Sequence, residues 1–295
     1  MPSYIYNSIL KKVYQPRPQN AKKYDYGYLL IIGGSQLYTG SPALAAMAAM
    51  RAGVDLTLIV APERAANIIA SFSPNFISYP LKTHDLRREH LPTLFSLTES
   101  AKRVSNGKSA VIIGGGLGRD EDTQKMVNEY LTKIDVPAVI DADALYAVSR
   151  RYNPIPPENI FQNKKFILTP HSYEFLILSG IDVSNLTLEE KGEAVKNFAQ
   201  KENVTVLLKG NVDVISNGKE VFFNKTGCPE MTVGGTGDTL AGICGCFLSQ
   251  EIDPLLAASA AAYLNGKAGE KAKEKFGSGI LASDVIDSIG EIIKL

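Results

Sequence analysis

Five apolar runs, each ending on glycines or on polar residues, constrain the fold of this chain more than any other feature. Tyr-Leu-Leu-Ile-Ile at 28–32 runs into Gly33-Gly34-Ser35, and Ser-Ala-Val-Ile-Ile at 109–113 into Gly114-Gly-Gly-Leu-Gly118. Pro-Ala-Val-Ile at 137–140 ends on Asp141-Ala-Asp143, Phe-Ile-Leu at 166–168 on Thr169-Pro170-His171, and Val-Thr-Val-Leu-Leu at 204–208 on Lys209-Gly210. Runs that are apolar throughout belong to strands covered on both faces, which is the environment of a parallel sheet between helices. Helical stretches are predicted over about 42–52, 120–133, 144–150 and 188–201. Leu86, Leu91, Leu94, Leu97 and Ala101 fall at helical spacing, which predicts a further helix over 85–104. Two more strands are predicted at 54–60 and 76–81, the first followed by Pro62-Glu63, a suitable helix start. Residues 212–215 and 220–223 flank Ser216-Asn-Gly-Lys219 and predict an antiparallel hairpin with Asn-Gly as a two-residue turn. Three Ala-rich helices are expected to complete the chain, giving an α/β fold with a mostly parallel sheet and a late antiparallel edge.

Residues 1–25 read as an N-terminal arm and 26–295 as one domain, since no linker or repeat divides them and 152–157 reads as a loop. A chain of 295 residues with 45% hydrophobic content can bury a sizeable core. Its 31 Lys+Arg match its 31 Asp+Glu, and no dense basic run is present, so nucleic acid is not an expected partner. No basic start followed by an apolar stretch opens the sequence, and no apolar run approaches about 18 residues. A membrane is therefore not expected either, and the cytoplasm is the default location. Cys228, Cys244 and Cys246 are too few and too clustered for a disulfide framework, and Cys244 and Cys246, inside an apolar run, read as small packed residues rather than metal ligands.

In folds of this class ligands sit beyond the carboxyl ends of the strands, so the five strand ends are an active-site inventory. To them must be added Gly234-Gly235-Thr236-Gly237-Asp238, which precedes an apolar helix. Glycines free several amides to converge, and the helix N-terminus adds about half a positive charge. The combination makes an anion hole suited to a transferring phosphoryl group. Asp238 is open to two readings, a helix cap or a general base for a substrate hydroxyl.

Gly234-Gly-Thr-Gly-Asp238 resembles the motif of the ribokinase-like superfamily. Gly33-Gly-Ser-Gln-Leu-Tyr-Thr-Gly-Ser-Pro-Ala-Leu44, Gly114 to Gly118, Val139-Ile-Asp-Ala-Asp-Ala-Leu145, Leu168-Thr-Pro-His-Ser-Tyr-Glu174, Leu208-Lys-Gly210 and the segment 224–238 resemble one branch of it, the nucleotide-dependent NAD(P)H-hydrate dehydratases. The resemblance runs from about Tyr26 to Ala282. It implies a three-layer ribokinase-like sandwich and a lyase of metabolite repair. Such an enzyme phosphorylates the ring hydroxyl of (S)-NADHX or (S)-NADPHX with ADP or ATP, then eliminates phosphate to restore NADH or NADPH, with Mg²⁺ present. ADP is the expected donor, with AMP and phosphate as products.

Residue by residue, the resemblance makes Asp238 the base and the amides of Gly235, Thr236 and Gly237 the phosphoryl cradle. Ser41, Gly116, His171 and Asp238 match hydrate-binding positions. Lys209, Gly210, Asn211, Val212, Asp213 and Gly237 match the adenine-nucleotide segment. Glu174 matches a position that organises water around Mg²⁺, while an ordinary first-turn Glu favoured by the helix dipole is the alternative. Asp141 and Asp143 are open between Mg²⁺ and a helix cap, the cap preferred for Asp143. Several positions depart from the family: Gly115 replaces Pro, Cys228 replaces Asn, and Asn265-Gly replaces His-Gly. Asp213 stands where Thr is common, and a carboxylate beside phosphates would repel them. The family also implies a homo-oligomer, often a tetramer, and with about 25 residues before the first strand the partner epimerase activity is expected on a separate chain. Two other readings share the glycine motif: a small-molecule kinase of the hydroxymethylpyrimidine or hydroxyethylthiazole type, and a non-catalytic nucleotide sensor. The Gly114 loop and Thr169-Pro-His171 favour a dinucleotide substrate over the first, and intact Asp238 and Lys209 speak against the second.

Overall fold

In the computed structural model, residues 3–152 and 160–294 are described, so most of the 152–157 stretch read as a loop lies outside them. One sheet of ten strands forms the middle layer. The strands are β1 (Ser3–Tyr4), β2 (Tyr28–Ile32), β3 (Leu56–Pro62), β4 (Ile77–Leu81), β5 (Ser109–Ile113), β6 (Ala138–Ile140), β7 (Phe166–Leu168), β8 (Thr205–Leu208), β9 (Asp213–Ser216) and β10 (Val221–Asn224), ordered β1-β10-β9-β8-β7-β6-β5-β2-β3-β4. From β4 to β8 neighbouring strands are parallel, and β9 runs antiparallel to both β8 and β10.

Helices cover both faces. They are α1 (Leu10–Val13), α2 (Gly40–Arg51), α3 (Glu63–Phe72), α4 (Leu91–Val104), α5 (Glu121–Lys133), α6 (Asp143–Ala147), α7 (Ser172–Ser179), α8 (Leu188–Glu202), α9 (Thr236–Ser249), α10 (Pro254–Phe276) and α11 (Ala282–Ile292). The period-two geometry of a strand explains why uninterrupted apolar runs were needed. In β2, Leu29 and Ile31 join the core beneath α2, α9, α10 and α11, while Leu30 and Ile32 join the core beneath α4 to α8. Ala110 and Ile112 of β5 divide from Val111 and Ile113 in the same way. Glycine inside a helix costs about 1 kcal/mol relative to Ala, and two of the three in α9 stand there for steric reasons. A Cβ on Gly242 would overlap the Ala45 carbonyl of α2, and one on Gly245 would lie 2.7 Å from Ile112.

Four sequence expectations are corrected. The hairpin loop is four residues, because Ser216 pairs with Val221; the Asn217 side chain accepts from the amides of Lys219 and Glu220 and so rounds the turn itself. The helix predicted over 144–150 stops at Ala147, and the one predicted from 85 becomes α-helical only at Leu91, after a 3-10 turn at Arg88–His90. The arm does more than trail: Ser3 and Tyr4 add β1 beside β10, so the hairpin is not the margin of the sheet. At the other margin β4 carries Pro80, which has no N–H to offer a further strand.

The strand order reverses between β2 and β5, since β3 and β4 lie outward of β2 while β6, β7 and β8 continue from β5. Ligands of open α/β sheets bind at such a switch point. Here the two glycine turns meet: Gly34 N–H donates to Gly115 O at 2.8 Å, and a Cβ on Gly33 would lie 2.5 Å from that oxygen.

Candidate active site

Register places the strand ends on one level. Ile32 pairs with Ile113, Ile113 with Ile140, and Ile140 with Leu168, so Gly33, Gly114, Asp141 and Thr169 follow side by side. Lys209 joins them one strand further on, its amide donating to Pro170 O at 2.8 Å. Above the row stands the N-terminus of α9. Gly235 precedes it in the left-handed region at φ +98, where a Cβ would press within 2.6 Å of Leu44 and 2.8 Å of Ala282. The first intrahelical bond is Thr239 N–H to Gly235 O, so the amides of Thr236, Gly237 and Asp238 precede the ladder and can serve an anion. Hydroxyls hold this turn. Thr236 donates to Met231 O at 2.8 Å, and Thr239 bonds Asn265 Oδ1 at 2.7 Å, while Asn265 Nδ2 donates to Thr236 O at 3.3 Å. Asn265, a departure from the family pattern, is thus a brace for the glycine turn.

Asp238 is not a side-chain cap of α9, whose cap residue is Gly235. Its Oδ1 accepts the Ser41 hydroxyl from the start of α2. Burial pushes the Asp238 carboxyl up to about 6, against the Ser41 hydrogen bond, which favours its ionised form. Gly33, Ser41, Gly115, Asp141 and Asp238 line one narrow cavity at the switch point. A Cβ on Gly115 would overlap Ser41 Oγ and stand 3.1 Å from Asp238 Oδ1. Gly116, at φ +69, faces Tyr38, whose Cβ would be 2.8 Å from an added Cβ.

A second group of charges lies beside the first. Lys209 Nζ is 3.0 Å from Asp141 Oδ1 and 3.8 Å from Glu174 Oε2. Burial alone would lower the Lys209 pKa, but the two carboxylates outweigh it and hold the ammonium charged. Burial pushes Glu174 up to about 7, with Lys209 opposing. His171 caps α7: its Nδ1 accepts from the amides of Tyr173 and Glu174 at 3.2 and 3.3 Å, and Glu174 Oε2 accepts the His171 amide at 2.8 Å. Burial, with Lys209 second, keeps the imidazole below its ordinary pKa. Its ring remains 52% exposed, so capping leaves Nε2 within reach of a ligand. Glu174 is turned inward into this capping box. Among the described residues no three His, Cys, Asp or Glu side chains surround a common point. An all-protein Mg²⁺ cage is therefore not formed among the described residues, whereas a water-mediated site needs only one or two carboxylates.

Asp143 is not the cap of α6, whose cap residue is Ala142. Its carboxylate accepts from the Gly118 amide at 2.9 Å and from Arg119 Nε at 2.8 Å, and so ties down the glycine loop. Between the two aspartates Ala142 sits at φ 48, ψ −123, which sends their side chains to opposite duties. Asp213 is likewise folded back. It accepts from the Gly210 amide and from Asn224 Nδ2, both at 3.0 Å, and burial pushes its carboxyl up to about 6. Its repulsion of phosphates is thereby blunted. Asn211 spends its Oδ1 on the Val212 amide at 3.0 Å. Cys244 and Cys246 are fully buried, as expected, and Cys228 is partly buried and free.

Sequence reasoning named Thr169 only as part of a motif, with no role of its own, and passed over Arg119. Thr169 is fully buried and its hydroxyl donates to Asp141 Oδ1 at 2.8 Å. Arg119 stacks its guanidinium 3.6 Å above the Tyr146 ring at the mouth of the site. A Thr placed between a strand and a Pro, and an Arg directly after a glycine loop, were the available signals.

A family model described as NAD(P)H-hydrate dehydratase matches residues 29–291. A bifunctional NAD(P)H-hydrate repair enzyme of Pyrobaculum aerophilum is 41% identical over 280 residues, covering 94% of this chain and 52% of that protein. An ADP-dependent (S)-NAD(P)H-hydrate dehydratase of Cenarchaeum symbiosum is 35% identical over 286 residues, covering 97% of this chain and 94% of that one. The crystal structure of an ADP/ATP-dependent NAD(P)H-hydrate dehydratase from Bacillus subtilis, co-crystallized with ATP/Mg²⁺, matches with a TM-score of 0.79 at 26% identity, covering 99% of this chain and 97% of that one. The chain spans about half the length of the bifunctional relatives it matches, 50–52% in three of them. No described helix is long and apolar enough to cross a membrane.

Proposed function

The chain belongs to the NAD(P)H-hydrate dehydratase family, and from that premise we propose that it converts (S)-NADHX or (S)-NADPHX to NADH or NADPH at the expense of ADP. The observation that carries this reading is the Ser41–Asp238 pair set under the open amides of α9 and beside the Gly115 backbone. A base, an anion hole and a slot without side chains meet at one point.

Hydroxide is a poor leaving group, so the enzyme's task is to turn a ring hydroxyl into a phosphate ester. Ser41 occupies Oδ1 of Asp238 and fixes the plane of the carboxylate; Oδ2 takes the proton of the hydrate hydroxyl. The deprotonated hydrate oxygen attacks the β-phosphorus of ADP, the bond to AMP breaks, and the charge on the transferring group falls to the amides of Thr236, Gly237 and Asp238 and to the Lys209 ammonium. Phosphate then leaves with a ring proton and the dihydronicotinamide is restored. The Gly114–Gly118 turn and the exposed His171 ring border the hydrate; Lys209 to Asp213 border the nucleotide. A Mg²⁺ ion brought by the nucleotide would neutralise charge on its phosphates, and Glu174 would organise water around that ion. In the cell such an activity belongs with the cytoplasmic nucleotide pool. We also propose that the chain assembles as a homotetramer, as its family resemblance implies.

The deciding experiment incubates the purified protein with NADH hydrate, Mg²⁺ and ADP or ATP while following the absorbance of the reduced nicotinamide. Recovery with ADP is expected. No recovery with either nucleotide would sink the proposal, and recovery with ATP alone would move it to the other donor.

A further inference from the structure

We propose that Asp141 is a positioning residue for phosphoryl transfer: it holds the Lys209 ammonium against the N-terminus of α9, at the place where the transferred group would lie. The inference deepens the dehydratase reading above and rests on it. A lysine at the end of a strand has a flexible four-carbon stem that ordinarily carries its charge out to water. Lys209 does the reverse. Its side chain is 21% exposed, and its ammonium is set 3.0 Å from Asp141 Oδ1 on one side and 3.8 Å from Glu174 Oε2 on another. A Cβ on Gly237 would stand 3.5 Å from Nζ, so the same ammonium touches the first turn of α9.

Asp141 is well anchored for this task. It is 4% exposed at the end of β6, and its Oδ1 also receives the Thr169 hydroxyl at 2.8 Å. A Cβ on Gly114 would overlap its backbone carbonyl, so the neighbouring strand end is locked to it as well. Two donors converging on one oxygen set the direction from which Lys209 must approach. Glu174, held by the His171 amide, closes the other side. The cation is thereby fixed before the nucleotide arrives, and a charge that needs no reorientation stabilises a transition state better than one that must be gathered in. The carboxylate of Asp141 would repel a phosphoryl group directly; with Lys209 in between, it acts through the lysine.

The test compares wild type, Asp141→Asn, Lys209→Met and the double variant by turnover, nucleotide KM and acetylation of individual lysines with an acetyl succinimidyl ester read by peptide mass spectrometry. Asp141→Asn is expected to lower kcat about tenfold to a hundredfold while changing the nucleotide KM less than about threefold. In the Lys209→Met background the same change is expected to cost almost nothing further, because the residue acts through the lysine. Lys209 acetylation is expected to rise at least about fivefold in Asp141→Asn, with the other lysines unchanged. If Asp141→Asn fails to fold, Thr169→Val, which removes only one of the two donors, is expected to show the same rise in smaller measure. Additive kcat losses, or unchanged Lys209 acetylation, overturn the proposal. The acetylation arm needs no turnover, so a wild type that never restores NADH defeats the dehydratase reading while Asp141 is still judged by its lysine.

Discussion

Ser41 and Asp238 are 197 residues apart in sequence, and the hydroxyl of the first donates to Oδ1 of the second across the start of two helices. The bond favours the ionised carboxylate at a depth where burial favours the neutral one. Asp238→Asn removes the proposed base and is expected to lower kcat by about 10²–10⁴. Ser41→Ala is expected to lower kcat/KM about tenfold at pH 5 and far less at pH 8, because the acid limb of the pH–rate profile, expected near 6 in the wild type, moves about one unit to higher pH. An unmoved limb in Ser41→Ala would detach that residue from the ionisation of Asp238.

Gly115 supplies a second handle on the same pair. Its φ is not among the positive ones, so Ala is tolerated by the backbone, but the new methyl would displace Ser41 Oγ. Gly115→Ala should therefore cost about tenfold or more in turnover with a melting temperature within a few degrees of wild type. In a Ser41→Ala background the added loss should largely vanish. Equal losses in both backgrounds would show that the loop, and not the hydroxyl, is what the methyl disturbs.

Glu174 makes stability depend on pH in a direction opposite to that of a surface ion pair. Its folded pKa, about 7, lies above the ordinary 4.5, so the folded state binds the extra proton between those values. The contribution is fully present below about 4.5 and is lost as pH rises through 7. Urea unfolding at pH 5 and pH 8 is expected to show wild type losing about 1–3 kcal/mol more than Glu174→Gln over that interval. An equal loss in both proteins would remove Glu174 as the source.

Ala142 is held at φ 48 between two working aspartates, a conformation that glycine adopts without strain. Ala142→Gly is expected to raise stability by about 1 kcal/mol with turnover within about twofold. A fall in stability would mean that the methyl group packs usefully enough to repay the backbone.

The parallel block was legible because both of its faces are buried, so its strands, apart from the exposed edge strand β4, are written in apolar residues with little interruption. The strand-end inventory was legible for the same reason: a run that stops on Gly-Gly or Asp-Ala-Asp marks its own carboxyl end. What escaped were relations without a local pattern. The two-residue β1 carries no period to read. The hairpin loop was misjudged because the Asn217 side chain makes its own turn bonds. The α6 helix ends early, with the Ser149 hydroxyl taking the amides of Arg151 and Tyr152. Asp213 looked hostile to phosphate only while its two donors, Gly210 and Asn224, were out of view. Lys209 could be assigned to a nucleotide from its motif, but that its ammonium leans on Asp141, 68 residues earlier, is a fact of three dimensions.

The margins of the sheet have a consequence for the crowded life of the folding chain. A bare edge strand is a template on which a neighbouring copy can crystallise its own backbone, the first step towards insoluble aggregates. Here β1, two residues of the arm, shields the hairpin, and Pro80 leaves a gap in the donor row of β4. Clipping the first few residues would uncover β10, and the cost would be read as turbidity on refolding long before any loss at the distant nucleotide site.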